Sequence, residues 1–173
     1  MPRPRPSEHT YWVNEHLLAG HYPGDLDEGT ALLKLRSYLQ AGIDFFLDLT
    51  RFGEMAPYEH FLRAEAEALG KPVEYRRWPI TDMGVLPHSE MQRLLDLLDQ
   101  ALDAGHTVYV HCWGGVGRTG TVVGCYLVRH GMTGEEALAW LRRVWPSVAQ
   151  SGWHPATPET REQQRYVKGW REG

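Results

Sequence analysis

Cysteine is scarce in this chain: Cys112 and Cys125 are the two it has. Two cannot supply a disulfide framework or a cysteine-rich metal site, so both are expected as free thiols. Long hydrophobic runs are missing as well. No stretch approaches the ~20 apolar residues that cross a bilayer, and the arginines of the opening MPRPRPSEHT have no apolar segment behind them to make a secretory signal. A soluble, cytoplasmic protein with no membrane partner is the expectation. Basic charge is not in excess: the net charge is −4 and the Lys and Arg residues are scattered, which argues against nucleic acid as a partner. The histidines outside position 111 show no helical or CxxC-like ligand spacing, so neither a metal nor another cofactor is expected.

What is present suits one domain: 173 residues, 42% hydrophobic and 23% charged, with no internal repeat. The proline-rich residues 1–10 read as a flexible tail and 11–173 as the domain, expected to act as a monomer. Helix-period segments alternate with short apolar strands, the pattern of an α/β fold with a central, mostly parallel sheet flanked by helices. Three strands are legible. Residues 43–49 follow a helix with Leu32, Leu35 and Leu39 on one face and Gly42 at its end; residues 73–78 follow a helix over 58–69 and are broken by Pro79. Residues 107–110 come after a helix carrying Met91, Leu94, Leu95, Leu98 and Leu102, for which Ser89 is the expected N-cap. Beyond them a helix is expected from near Arg118, another from the Thr133/Glu136 capping box, and a last one capped by Thr157-Pro158 and running towards Gly169. Residues 146–156 read as a loop.

The chemistry concentrates where the 107–110 strand meets the next helix, in His111-Cys112-Trp113-Gly114-Gly115-Val116-Gly117-Arg118-Thr119-Gly120. A cysteine at a buried strand end and an arginine at a helix start make an anion cradle. The backbone N–H groups of Trp113, Gly114, Gly115, Val116, Gly117 and Arg118 can surround one dianion, such as phosphate or sulfate, and the helix adds its positive end. A nucleotide-binding P-loop would need Lys-Ser/Thr after its last glycine, where this chain has Arg118-Thr119. Cys112 faces amides, a helix end and a guanidinium, all of which favour thiolate over thiol and make it a nucleophile. Arg118 offers a planar fork to two phosphate oxygens and can hold them as the phosphoryl group flattens. Thr119 is placed to hydrogen-bond the sulfur and ease its departure from a phosphocysteine, and His111 to orient the loop. Chance would produce H-C-x-x-G-x-G-R-[ST]-G on the order of once in a million chains.

This segment resembles the H-C-x5-R-[ST] signature of the protein tyrosine phosphatase superfamily, and of its smaller dual-specificity branch in particular. Leu18-Ala19-Gly20-His21-Tyr22-Pro23-Gly24 and Phe46-Leu47-Asp48-Leu49-Thr50 are similar to the opening strand and second-strand end of bacterial enzymes of that type, so the resemblance covers nearly the whole chain. It implies hydrolysis of phosphomonoesters through a phosphocysteine. Expelling the leaving oxygen needs a proton, hydrolysing the intermediate needs a base, and one carboxyl can do both. Asp82, in Trp78-Pro79-Ile80-Thr81-Asp82-Met83-Gly84, stands in a stretch that resembles the family's acid loop; Asp48 and Glu54 are the competing carboxylates. The late segment 157–167 is similar to the helix in which relatives carry a water-positioning glutamine, which makes Gln163 the candidate, with Gln164 beside it.

Enzymes of this superfamily that act on phosphotyrosine, phosphoserine, phosphoinositides and RNA 5′-phosphates share one loop. Here Trp113 and Val116 bring no charge for additional phosphates, so a phosphorylated protein or peptide is the first expectation. A phosphoinositide or RNA 5′-phosphatase, or an idle phosphopeptide-binding module, are the alternatives. Trp113 is open between stacking on a substrate ring and packing, and Cys125 reads as a core thiol.

Overall fold

The computed structural model describes residues 3–172. Five strands, β1 (Thr10–Asn14), β2 (Leu17–Gly20), β3 (Phe45–Asp48), β4 (Glu74–Arg77) and β5 (Val108–His111), form one sheet in the order β1-β2-β5-β3-β4. β1 runs antiparallel to β2, and every other pairing is parallel. Six helices accompany it: α1 (Glu28–Gln40), α2 (Glu59–Ala68), α3 (His88–Asp103), α4 (Arg118–Arg129), α5 (Gly134–Val144) and α6 (Arg161–Lys168).

The two-residue alternation of the strands decides which helices lie where. Leu17, Ala19, Phe45, Leu47, Val108 and Val110 point to one face and meet Leu95 of α3, Val122 of α4, Leu141 of α5 and Val167 of α6. Leu18, Phe46 and Tyr109 point to the other and meet Leu35 and Tyr38 of α1 and Leu62 of α2. With helices on both faces, β3 and β5 are buried at every residue, as parallel strands usually are. Gly20 of β2 and Asp48 of β3 both pair with His111 of β5, so three parallel strands end level. The crevice beyond such carboxyl ends is where open α/β sheets take their ligands.

The three strands read from the sequence are β3, β4 and β5. The opening hairpin of β1 and β2 adds an antiparallel edge, so the sheet is mixed. Two helix starts differ from expectation. Ser89 does not cap α3: Pro87 takes that place at φ −53°, and its carbonyl accepts the N–H groups of Glu90 and Met91, leaving Ser89 inside the first turn. Thr157-Pro158 does not cap α6 either, because Thr160 and Gln163 close a capping box three residues later. Within the expected tail, Arg5 donates to the carbonyls of Thr10 at 2.7 Å and Ser147 at 3.0 Å. Among the described residues no helix is long and apolar enough to cross a membrane.

Candidate active site

β5 delivers Cys112 to the end of the sheet, and α4 starts at Arg118. Between them the loop is held by its carbonyls. Cys112 O accepts from His111 Nδ1 at 2.9 Å, Trp113 O from the Tyr22 N–H at 2.9 Å, and Gly114 O from Gln150 Nε2 at 2.9 Å. Val116 O accepts from Thr157 Oγ1 at 2.5 Å, and Gly117 O from the N–H and Oγ1 of Thr121 at 3.0 and 2.8 Å. In a planar trans peptide the N–H points opposite to the C=O. With these carbonyls tied outward, the N–H groups of Trp113, Gly114, Gly115, Gly117 and Arg118 are turned to the inner side, and none donates a hydrogen bond among the described residues. Gly115 makes the turn possible. Its φ is +71°, and a Cβ there would stand 2.4 Å from the backbone carbon of Gly20.

Cys112 is 3% exposed and accepts the Thr119 hydroxyl on its sulfur at 3.0 Å. His111 is fully buried. Because a carbonyl only accepts, its Nδ1 carries the proton, which leaves Nε2 to accept the Tyr58 hydroxyl at 2.6 Å. Burial holds the imidazole below its ordinary pKa, against the raising influence of Asp48.

Arg118 is 1% exposed and uses one edge of its guanidinium on protein. Nη1 donates to Glu54 Oε1 at 2.8 Å and to Ile80 O at 3.0 Å, and Nη2 donates to Glu54 Oε2 at 2.6 Å. Asp82 Oδ1 lies 3.4 Å from Nη2. Arg118 Nε is buried and has no partner among the described residues. A buried guanidinium N–H left open beside a ring of free amides fits an anion. Contact with Arg118 holds the Glu54 carboxyl below the usual carboxylate range.

Asp82 occupies a tight turn, closed by the Gly84 N–H on Thr81 O at 2.9 Å, in which Met83 takes φ +66°. Such a backbone costs a side-chain-bearing residue on the order of 1 kcal/mol or more and concentrates at functional loops. Asp82, Met83, Cys112, Trp113 and Arg118 line a cavity of about 360 Å³ that continues past His9, His21, Gln150, Trp153, His154 and Glu159. The structure thus brings Cys112, Arg118, Asp82, Thr119 and His111 together. Asp48 lies beneath the loop, 2% exposed, with Tyr75 OH on Oδ2 at 2.6 Å and both Thr50 donors on Oδ1. Gln163 is fully buried: Oε1 accepts the Thr160 N–H at 3.1 Å and Nε2 donates to Gly84 O at 3.3 Å. Gln164 donates to Pro158 O at 3.0 Å. Sequence reasoning missed Gln150, which stands in no periodic or capping pattern, and the tying role of Thr157, whose hydroxyl reads as a helix cap.

The family described as "PTP-SAK: Swiss Army Knife protein, DSP-PTPase phosphatase domain" matches residues 11–166. Among curated proteins, the chain is 47% identical over 59 residues to dual specificity protein phosphatase CDC14B of Mus musculus, covering 34% of this chain and 12% of that one. It is 30% identical over 149 residues to protein tyrosine phosphatase domain-containing protein 1 of Mus musculus, covering 81% and 20%. The chain therefore spans a fifth or less of these relatives' length. Among solved structures, Tk-PTP in the active form superposes with a TM-score of 0.72 at 22% identity, covering 92% of this chain and 94% of that one. A variant of P. aeruginosa TpbA in complex with pTyr gives 0.68 at 19%, covering 95% and 86%, and PTPMT1 in complex with PI(5)P gives 0.67 at 17%, covering 92% of each.

Proposed function

We propose, from the premise that the chain belongs to the dual-specificity-type branch of the protein tyrosine phosphatase superfamily, that it hydrolyses phosphotyrosine in protein or peptide substrates. One observation carries the chemistry: Arg118 Nε, buried and without a partner among the described residues, belongs to a residue lining the same cavity as Cys112 and the outward-tied loop.

In the first step the Cys112 sulfur attacks phosphorus, the S–P bond forms and the P–O bond to the leaving group breaks. The inward amides and the Nε edge of Arg118 hold the equatorial oxygens, and Asp82 gives its proton to the departing oxygen. In the second step water attacks phosphorus and gives its proton to the Asp82 carboxylate left by the first step, the S–P bond breaks with its electron pair returning to Cys112, and phosphate leaves. The Thr119 hydroxyl on Sγ eases that departure, and His111 fixes the Cys112 peptide through its carbonyl.

The cavity supports an aryl ester. Cys112 lies deep, while Trp113 (59% exposed), Trp153 and Met83 stand exposed at the rim, offering flat apolar contact to a ring. No lysine lines it and Arg118 is its single arginine among the described residues, so additional phosphates find no further cation of that kind. Trp113 and Asp82 also border a second cleft of about 460 Å³ with Arg51, Phe52 and Met55, which gives an extended peptide a continuation of the surface. Phosphotyrosine peptide, phosphoserine peptide, phosphoinositide and 5′-nucleotide compared by kcat/KM test this reading. Phosphotyrosine is expected to lead; a phosphoinositide or nucleotide ahead by about 10-fold or more, equivalent to ~1.4 kcal/mol, overturns the substrate assignment. Cys112→Ser should lose turnover of p-nitrophenyl phosphate while still binding substrate, and activity near wild type would refute the covalent route.

A further inference from the structure

We propose that the outer face of α6, together with the neighbouring stretch of α5, docks an acidic segment of the protein substrate outside the catalytic cavity. That the segment belongs to a phosphoprotein rests on the phosphatase reading; the surface itself does not. Cations that are scattered along the chain come together here. Arg161, Gln164, Arg165 and Lys168 recur at the steps of three and four that put side chains on one helix face, and with Leu138 of α5 they line a cleft of about 310 Å³. Gln163 and Val167, on the other side of α6, are buried. The two helices run antiparallel. A Cβ on Gly134, at the start of α5, would stand 2.2 Å from Lys168 O at the end of α6, and Glu135 Oε1 lies 3.5 Å from Lys168 Nζ. Leu138 comes one turn later, beside Arg161 and Arg165. Arg142, a further turn on, therefore extends the basic row at its Arg161 end.

Arg142, Arg161, Arg165 and Lys168 are exposed. The three arginines form no ion pair among the described residues, whereas Arg36, Arg63, Arg76, Arg77, Arg118 and Arg129 each meet a carboxylate. On a chain of net charge −4 this leaves one locally positive face. Charge calls for an anionic partner, and shape for a peptide. A membrane surface needs apolar side chains to insert, and a nucleic-acid strand needs aromatic ones to stack its bases. The exposed large apolar residues, Leu26, Leu33, Phe52, Met83, Trp113 and Trp153, all lie off both helices. Asp and Glu carboxylates, by contrast, match the planar fork of each arginine. From Arg161 to Lys168 the row covers about 10 Å at ~1.5 Å per residue, the reach of roughly three residues of extended chain. Its Arg161 end adjoins the catalytic cavity, which Glu159, two positions earlier, lines together with Cys112. One substrate segment can thus present phosphotyrosine to Cys112 and acidic residues to α6.

Fluorescence anisotropy with a labelled, unphosphorylated peptide carrying a run of Asp and Glu reads the docking without the chemistry. Reversing two charges together, Arg142→Glu with Arg165→Glu, should weaken binding by about 10-fold or more at low salt, and raising the salt should weaken the wild type in the same direction. Arg93→Glu is the control, since Arg93 of α3 is also exposed and without an ion pair among the described residues; it should change binding by less than about 2-fold. With phosphotyrosine peptides, joining the acidic run should raise the wild-type kcat/KM by about 5- to 10-fold. The double variant should lose that gain while turning over p-nitrophenyl phosphate like the wild type. The proposal falls if the acidic peptide does not bind, if Arg93→Glu weakens it as much as the double variant does, or if binding brings no gain in kcat/KM. Tighter binding of anionic phospholipid vesicles or of a single-stranded oligonucleotide, lost in the double variant, would overturn the class of partner. A protein inactive on every phosphotyrosine peptide would remove the substrate assignment, while the anisotropy result still decides the surface.

Discussion

Deleting the carboxylate that holds the back of Arg118 should destabilise the protein in a way that anions repair. In Glu54→Ala the guanidinium, 1% exposed, keeps only Ile80 O at 3.0 Å and Asp82 at 3.4 Å among the described residues. Breaking a buried ion pair by removing one partner costs about 3–5 kcal/mol. The Glu54 side chain is 21% exposed and Arg118 retains those two acceptors, so about 2–3 kcal/mol is the expectation here. At roughly 2–4 °C per kcal/mol for a domain of this size, the Tm should fall by roughly 4–12 °C. A bound dianion restores counter-charge, and an anion at 100 times its Kd stabilises by about 2.7 kcal/mol. Phosphate or sulfate should therefore raise the Tm of Glu54→Ala more than that of the wild type, where carboxylate and dianion repel across one guanidinium. Thermal denaturation with and without phosphate measures both effects, and Glu54→Gln, which keeps one acceptor, should lie between. A Tm within about 1 °C of wild type, or an equal phosphate gain in both proteins, would refute the reasoning.

Asp82→Ala should slow alkyl and ordinary aryl phosphates by roughly 10²- to 10⁴-fold, spare activated aryl phosphates, and flatten the basic limb of the pH–rate profile; an equal loss on every leaving group would make its role structural. Gly115→Ala places a Cβ 2.4 Å from Gly20 backbone at φ +71°, whereas a Cβ at Gly114 would meet only Val116 at 3.5 Å. The first variant should lose about 100-fold or more in kcat/KM and the second less than about 10-fold, because a shift of about 1 Å in the loop suffices for the larger loss; similar values for both would show that the loop tolerates the shift. Stability should fall with acid. Burial, with help from His9, Lys34 and His111, pushes His21 from 6.5 down to about 3, and burial lowers His111 too, so both stay neutral when folded and take up protons when unfolded. Their contribution is present above pH 6.5 and is lost as pH falls towards 3. Glu54 and Asp48, both held below the usual range, add losses of the same sign further down, and urea titrations that show stability flat or rising from pH 7 to about pH 4.5 would contradict this.

The parts of the site that were legible are those encoded locally. A strand end, three glycines, an arginine and a helix start follow one another within ten residues, and the alternation of β3 and β5 reports burial on both faces directly. The ties that shape the loop are not local. Arg118 meets Glu54 across 64 positions, Gly114 meets Gln150 across 36, and Val116 meets Thr157 across 41. No periodicity marks such partners. Thr157-Pro158 shows the consequence: a hydroxyl that reads as a helix cap is spent on a loop carbonyl, and the cap falls to Thr160. Residues 18–24 gave β2 only through their resemblance to an opening strand, and β1 escaped, since only eleven residues, 10–20, hold both strands and their turn, and a register shift interrupts the alternation between Trp12 and Asn14.

We propose Asp82 over Glu54 as the proton donor from the competition around one guanidinium as well. Both carboxylates approach Arg118 Nη2, at 3.4 and 2.6 Å, and a phosphate dianion entering on the Nε side would face two negative charges unless one of them carried a proton. Glu54 is committed to the ionised form. It takes both Nη groups of Arg118 and the Arg51 N–H at 3.1 Å, and those bonds hold it below the usual carboxylate range. Asp82 accepts the Met83 N–H at 3.0 Å, and its side chain is 56% exposed on a turn that lines the cavity. Asp82, the carboxyl with fewer donors to its anion, is the one left unclaimed by Arg118's paired edge, and it lines the cavity. On that proposal one arginine sorts two acidic side chains into a fixed counter-ion and an acid, a division that depends on β3 and β4 ending side by side and on neither loop alone.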